Sequence, residues 1–88
     1  MTGSYRPART IEPGWHVHLA DVTPTSGTFT GGRWIAVLAR LDTITDTGRR
    51  RVWFLGDDGL AAVAGADELV FSRDPHEAAA AHAAGRPR

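Results

Sequence analysis

The chain contains no cysteine, which excludes disulfides and thiolate metal sites and leaves the compartment unmarked by redox chemistry. It contains no lysine either: all ten basic residues are arginine, balanced by ten acids. No apolar run approaches the roughly 20 residues that a membrane-spanning helix needs. The opening stretch, Met1 to Arg9, lacks the apolar core of a secretory signal. The expectation from these absences is a cytoplasmic protein with no membrane partner. Catalytic signatures are missing too, with no Gly-x-Ser-x-Gly, phosphate loop or His-Glu-x-x-His. Asp57 and Asp58 are adjacent carboxylates, but neighbouring strand residues face opposite ways, and a turn explains Asp58. A protein without enzymatic activity or cofactor is expected.

The 88 residues present make one domain. Folding at this size hides about 60–65% of the surface of the unfolded chain, enough for one modest core. Charge is unevenly placed: residues 1–9 carry +2, residues 10–74 carry −3 and residues 75–88 carry +1. A negative folded part argues against a broad basic surface of the kind that grips nucleic acid.

Hydrophobic periodicity divides the chain into a polar, basic lead-in over 1–10, expected to be disordered, a β-rich unit over 11–73, and a helical tail over 74–88. Trp15, Val17 and Leu19 alternate with His16 and His18, as in a half-buried strand. Residues 23–32 are crowded with Thr, Gly and Pro and read as a long loop, with Phe29 its one large apolar side chain. Residues 33–45 form the longest strand candidate, with Ile35, Val37, Ala39 and Leu41 on one face and Trp34, Ala36 and Leu38 on the other. Asp46-Thr-Gly48 reads as a hairpin turn into a third strand over 49–56, and Asp58-Gly59 as the next turn. Residues 60–64 make a fourth strand, 65–68 a single 3-10 turn, and 69–71 a short closing strand. Asp74-Pro75-His76-Glu77 opens a helix with a capping residue, a proline in the first helical position and a capping-box glutamate.

Five strands, a long first loop, tight hairpins and a 3-10 turn before the last strand resemble the SH3-like small barrel shared by Tudor and KOW modules. The expected fold is therefore mainly β, a five-stranded SH3-like barrel with a short C-terminal helix. A narrower resemblance is to an uncharacterised family of small actinobacterial SH3-like proteins. Gly14-Trp15 matches its opening, Asp58-Gly59 its turn, and Gly65, Asp67 and Val70 its closing segment, while Val52-Trp53 stands one residue further from the turn than in the family. That resemblance implies a fold and no function.

If Ile35, Val37, Val52 and Phe54 face inward, Trp34, Leu38, Trp53 and Leu55 share the opposite face. These four, with Phe29, are the candidate partner-binding residues, and a protein partner is the leading expectation. The alternative is nucleic-acid binding, with Arg6, Arg9, Arg49, Arg50 and Arg51 on phosphates and stacking beside Trp53. His16 and His18 share a strand face at a spacing that suits one metal ion. They lack an evident third and fourth ligand, so no metal is expected.

Overall fold

The structure is a computed structural model describing residues 3–26, 34–56 and 59–84. The chain runs β1 (Ser4–Pro7), a 3-10 turn (Ala8–Thr10), β2 (His16–His18), a second 3-10 turn (Leu19–Asp21), β3 (Thr23–Ser26), β4 (Trp34–Ala36), β5 (Ala39–Ile44), β6 (Arg50–Leu55), β7 (Ala61–Gly65), β8 (Leu69–Arg73) and α1 (Pro75–Ala84). Strands β1-β8-β2-β4 form one antiparallel sheet, here sheet A, and β3-β7-β6-β5 form the other, sheet B.

The chain is therefore mainly β with a short C-terminal helix, as expected. The five-stranded closed barrel is corrected to eight strands, among the described residues, in two four-stranded sheets that do not close. Three local features account for the difference. Residues 4–7, expected to be disordered, pair along β8 from Ser4↔Ser72 to Pro7↔Leu69. They escape a periodicity reading because the inward position holds Arg6, whose charge is neutralised inside the fold. Thr23–Ser26, assigned to a loop, is an edge strand on β7 with an irregularity between Pro24 and Ser26, the setting that tolerates a strand proline. The single strand of 33–45 is two strands in different sheets. At the break, Val37 donates its N–H to the Trp15 carbonyl and accepts from Gly14, both at 2.8 Å.

The core lies between the sheets. Val17, Ile35 and Val70 of sheet A meet Val52, Phe54, Ala62 and Ala64 of sheet B, with Ala8, Ile11 and Val22 filling the margins. Phe54 stands opposite Ala62 in the β6–β7 register, so the largest core side chain is matched to one of the smallest. The hairpin expected at Asp46-Thr-Gly48 is present: Gly48 has φ +83°, and Thr45 donates to the Arg49 carbonyl at 2.8 Å. Residues 65–68 close as a turn rather than a 3-10 helix, with Glu68 donating to the Gly65 carbonyl.

The helix opens on a reciprocal capping box. Glu77 N–H donates to Asp74 Oδ1 at 2.7 Å, and Asp74 N–H donates to Glu77 Oε1 at 3.0 Å. Arg6 locks this turn to sheet A. Its guanidinium bonds Glu77 Oε1 at 2.7 Å and the Ser72 carbonyl at 3.0 Å while stacking over Trp15. The bonds from Asp74 N–H and Arg6 hold the Glu77 carboxyl below its ordinary range. Among the described residues, no helix is long and apolar enough to cross a membrane.

Candidate interaction surface

Strand alternation decides what sheet A shows to solvent. Val17, Ile35, Val70 and Ser72 are buried, so His18, Trp34, Phe71 and Arg73 point outward. Arg6 points inward on β1, which turns Tyr5 out. The registers then align these positions: Tyr5 faces Phe71, Val17 faces Ser72 so that His18 lies beside Phe71, and His18 faces Trp34. Tyr5, Phe71, His18 and Trp34 thus make a row of four rings, one from each strand.

The rings touch along the row. Centroids are 5.0 Å apart for Tyr5–Phe71, 6.2 Å for His18–Phe71 and 5.0 Å for His18–Trp34, in tilted or edge-on arrangements. Trp34 and Phe71 also meet directly at 5.5 Å. Such ring pairs stabilise by about 0.5–1.5 kcal/mol beyond their buried area. Arg73 lies across Trp34, its guanidinium carbon 3.9 Å from the ring centroid. Asp21 accepts the Phe71 N–H at 3.0 Å, and a Cβ on Gly3 would stand 3.0 Å from the Phe71 ring. Tyr5 remains 63% exposed at the end of the row.

The two histidines share a face, as the alternation predicts. His18 Nδ1 accepts the Ala20 N–H at 3.2 Å, and its ring stands edge-on to Trp34. Burial, and then the neighbouring charge of Arg73, push the His16 imidazole below its ordinary pKa. Among the described residues, no group of three or more potential ligands could hold a metal ion.

The candidate partner-binding set is divided by the fold. Ile35, Val37, Val52 and Phe54 do face inward. Trp34, however, belongs to the ring row of sheet A, whereas Trp53 lies on the outer face of sheet B. There it stands between Leu41 and Val63 in register and donates its indole N–H to Thr43 Oγ1 at 2.9 Å. Leu38 and Leu55 accompany Trp53: Leu38 N–H bonds the Leu55 carbonyl, and the two side chains are 57% and 38% exposed. Phe29 lies outside the described residues.

The arginine set is divided too. Arg6 is committed to the helix cap, and Arg9 pairs with Asp67 at 3.1 Å. Arg51 follows the outward face of β6 with Trp53. Arg50 follows the inward face, and both Arg50 and Arg51 line an open cleft of about 300 Å³ with Arg9, Arg40, Asp42 and Ala66. Arg40, half-buried there, bonds Asp42 through two nitrogens and reaches the Ile11 carbonyl at 2.8 Å.

Of the row, sequence reasoning named Trp34 as a partner contact, weighed His18 only as a metal ligand, and missed Tyr5, Phe71 and Arg73. The alternation Leu69, Phe71, Arg73 was available as a signal. Serine at the fully buried position 72 disguised it. No known protein family, curated protein or solved structure matches the chain.

Proposed function

We propose that this protein is a non-catalytic interaction module that binds an apolar, extended segment of another protein on the outer face of sheet A. The observation that carries the reading is the ring row itself: four aromatic side chains, one per strand, in register and open at Tyr5. Aromatic rings offer large apolar area at small entropic cost, which is why they concentrate at the centres of protein interfaces. The SH3-like likeness belongs to the same proposal. It rests on the sequence pattern over 11–73 alone and carries the expectation of peptide binding, with open sheets in place of a closed barrel.

A second reading has one specific observation in its favour. Arg73 across Trp34, beside further rings, is the combination that stacks bases of single-stranded nucleic acid while holding a phosphate. Arg9, Arg50 and Arg51 meet instead at a cleft beside β5 and β6 of sheet B, whereas Trp34 and Arg73 belong to sheet A, and that separation weighs against it.

The two readings separate in one titration. The indole signals of Trp34 and Trp53 are followed in a nitrogen–proton correlation spectrum while a proline-rich peptide, then a short single-stranded oligonucleotide, is added at low and at high salt. The proposal expects Trp34 to shift with the peptide, Trp53 to stay still, and the shift to survive salt. Shifts with the oligonucleotide alone, abolished by salt, would transfer the site to nucleic acid. Silence at Trp34 with both probes would leave the row a stabilising cluster only.

A further inference from the structure

Among the described residues the open sheets expose four edge strands, and three of them carry protection. β1 holds Pro7 and the half-buried ion pair of Arg6; β4 has only three described residues; β3 contains Pro24 and a register irregularity. The fourth, β5, is six residues long, with neither proline nor bulge, and among the described residues no strand pairs with its outer edge. It is also flanked and studded by exposed aliphatics: Leu38 at 57%, Leu41 at 56% and Ile44 at 69%.

From this edge we infer that β5 pairs antiparallel with β5 of a second copy of the chain, on a two-fold axis at Leu41. Hydrogen-bond parity permits the register. Thr45 donates across the hairpin to Arg49, so the alternation of an antiparallel ladder turns the amides of Arg40, Asp42 and Ile44 toward the open edge. A two-fold at Leu41 sets Arg40 opposite the partner's Asp42 and Asp42 opposite the partner's Arg40, both as hydrogen-bonded pairs. It also sets Leu41 against the partner's Leu41 and Ala39 against the partner's Thr43, on the outer face. The segment Ala39-Arg-Leu-Asp-Thr43 thus pairs its opposite charges with one another when reversed.

The two adjacent registers fail on charge. A two-fold at Asp42 opposes two carboxylates, and one at Arg40 opposes two guanidinium groups, which destabilises strand pairs. Within one chain Arg40 already bonds Asp42 at 3.0 and 3.1 Å and Glu12 at 3.3 Å, so pairing brings two such clusters together across the axis. One pair of strand edges is a small interface, and the association is accordingly weak and concentration-dependent. It does not rest on the ring row, which lies on the other sheet.

The absence of cysteine makes the test direct. Leu41→Cys places two thiols across a non-hydrogen-bonded pair, where Cα atoms approach to about 4.5 Å. Under mild oxidation it is expected to form a disulfide-linked dimer much faster than Leu69→Cys, a residue of similar exposure (59%) on sheet A. Ala39→Cys and Thr43→Cys are expected to cross-link when combined and not singly. In sedimentation of the unmodified chain, a dimer is expected to grow with concentration. Asp42→Arg should weaken it by about tenfold while leaving the monomer spectrum folded. Equal cross-linking at positions 41 and 69, with one monomeric species at all concentrations, would overturn the inference and leave the edge to a strand of a different protein. A dimer that forms without cross-linking at position 41 would overturn this register.

Discussion

The two sheets share one core but differ in what they turn toward solvent. Sheet A presents rings that touch one another, Tyr5–Phe71 and His18–Trp34 at 5.0 Å, with Arg73 laid over the last. Its inner side is tied to the helix through Arg6 and Glu77. Sheet B presents aliphatic side chains around a tryptophan pinned to Thr43, and ends on an edge that no described strand covers. The comparison teaches that two outward apolar surfaces in one small domain need not serve one partner. A surface of fixed, mutually packed rings suits a ligand laid across strands, whereas an open edge suits a strand laid beside one.

The strongest way to break the comparison is through the core both sheets share. Phe54→Ala is expected to cost about 3–5 kcal/mol in chemical denaturation, with fluorescence of Trp34 and Trp53 lost in a single transition. Two separated transitions would mean that the sheets are independent units. A smaller effect sharpens the contrast between the tryptophans. Trp53→Phe removes the bond to Thr43 and is expected to cost about 1 kcal/mol, with no effect on ligand binding at sheet A.

Acid should separate the sheets again. Because Glu77 has a lowered pKa in the fold, the unfolded chain binds its proton first. The stabilisation is complete above the ordinary carboxyl value and is lost as pH falls through the lowered one. Amide exchange in α1 is therefore expected to accelerate in acid before that of β6 and β7, and Glu77→Gln should remove this step. The smallest effect is at Tyr5. Its replacement by Ala is expected to cost about 0.5 kcal/mol, the low end for a ring pair because Tyr5 is largely exposed, yet weaken peptide binding at Trp34.

The sequence by itself determined the features whose physics is local. Asp74-Pro75-His76-Glu77 is a capping box in the sequence and in the structure, because both of its hydrogen bonds close within four residues. The hairpin at Gly48 and the inward faces of Val52 and Phe54 were legible for the same reason: turn chemistry and a period of two need no distant partner. Tertiary structure alone decided the rest. Arg6 occupies an inward strand position because Glu77 and the Ser72 carbonyl wait there, and Ser72 is buried because its hydroxyl bonds the Ser4 carbonyl. Both substitute polar groups for apolar ones and hide a strand from any reading of hydrophobic period. The division of 33–45 between two sheets depends on Gly14 and Trp15 capturing Val37, a contact between segments more than twenty residues apart. That handover sends Trp34 to one surface and Trp53 to another, and no spacing within the segment itself encodes it.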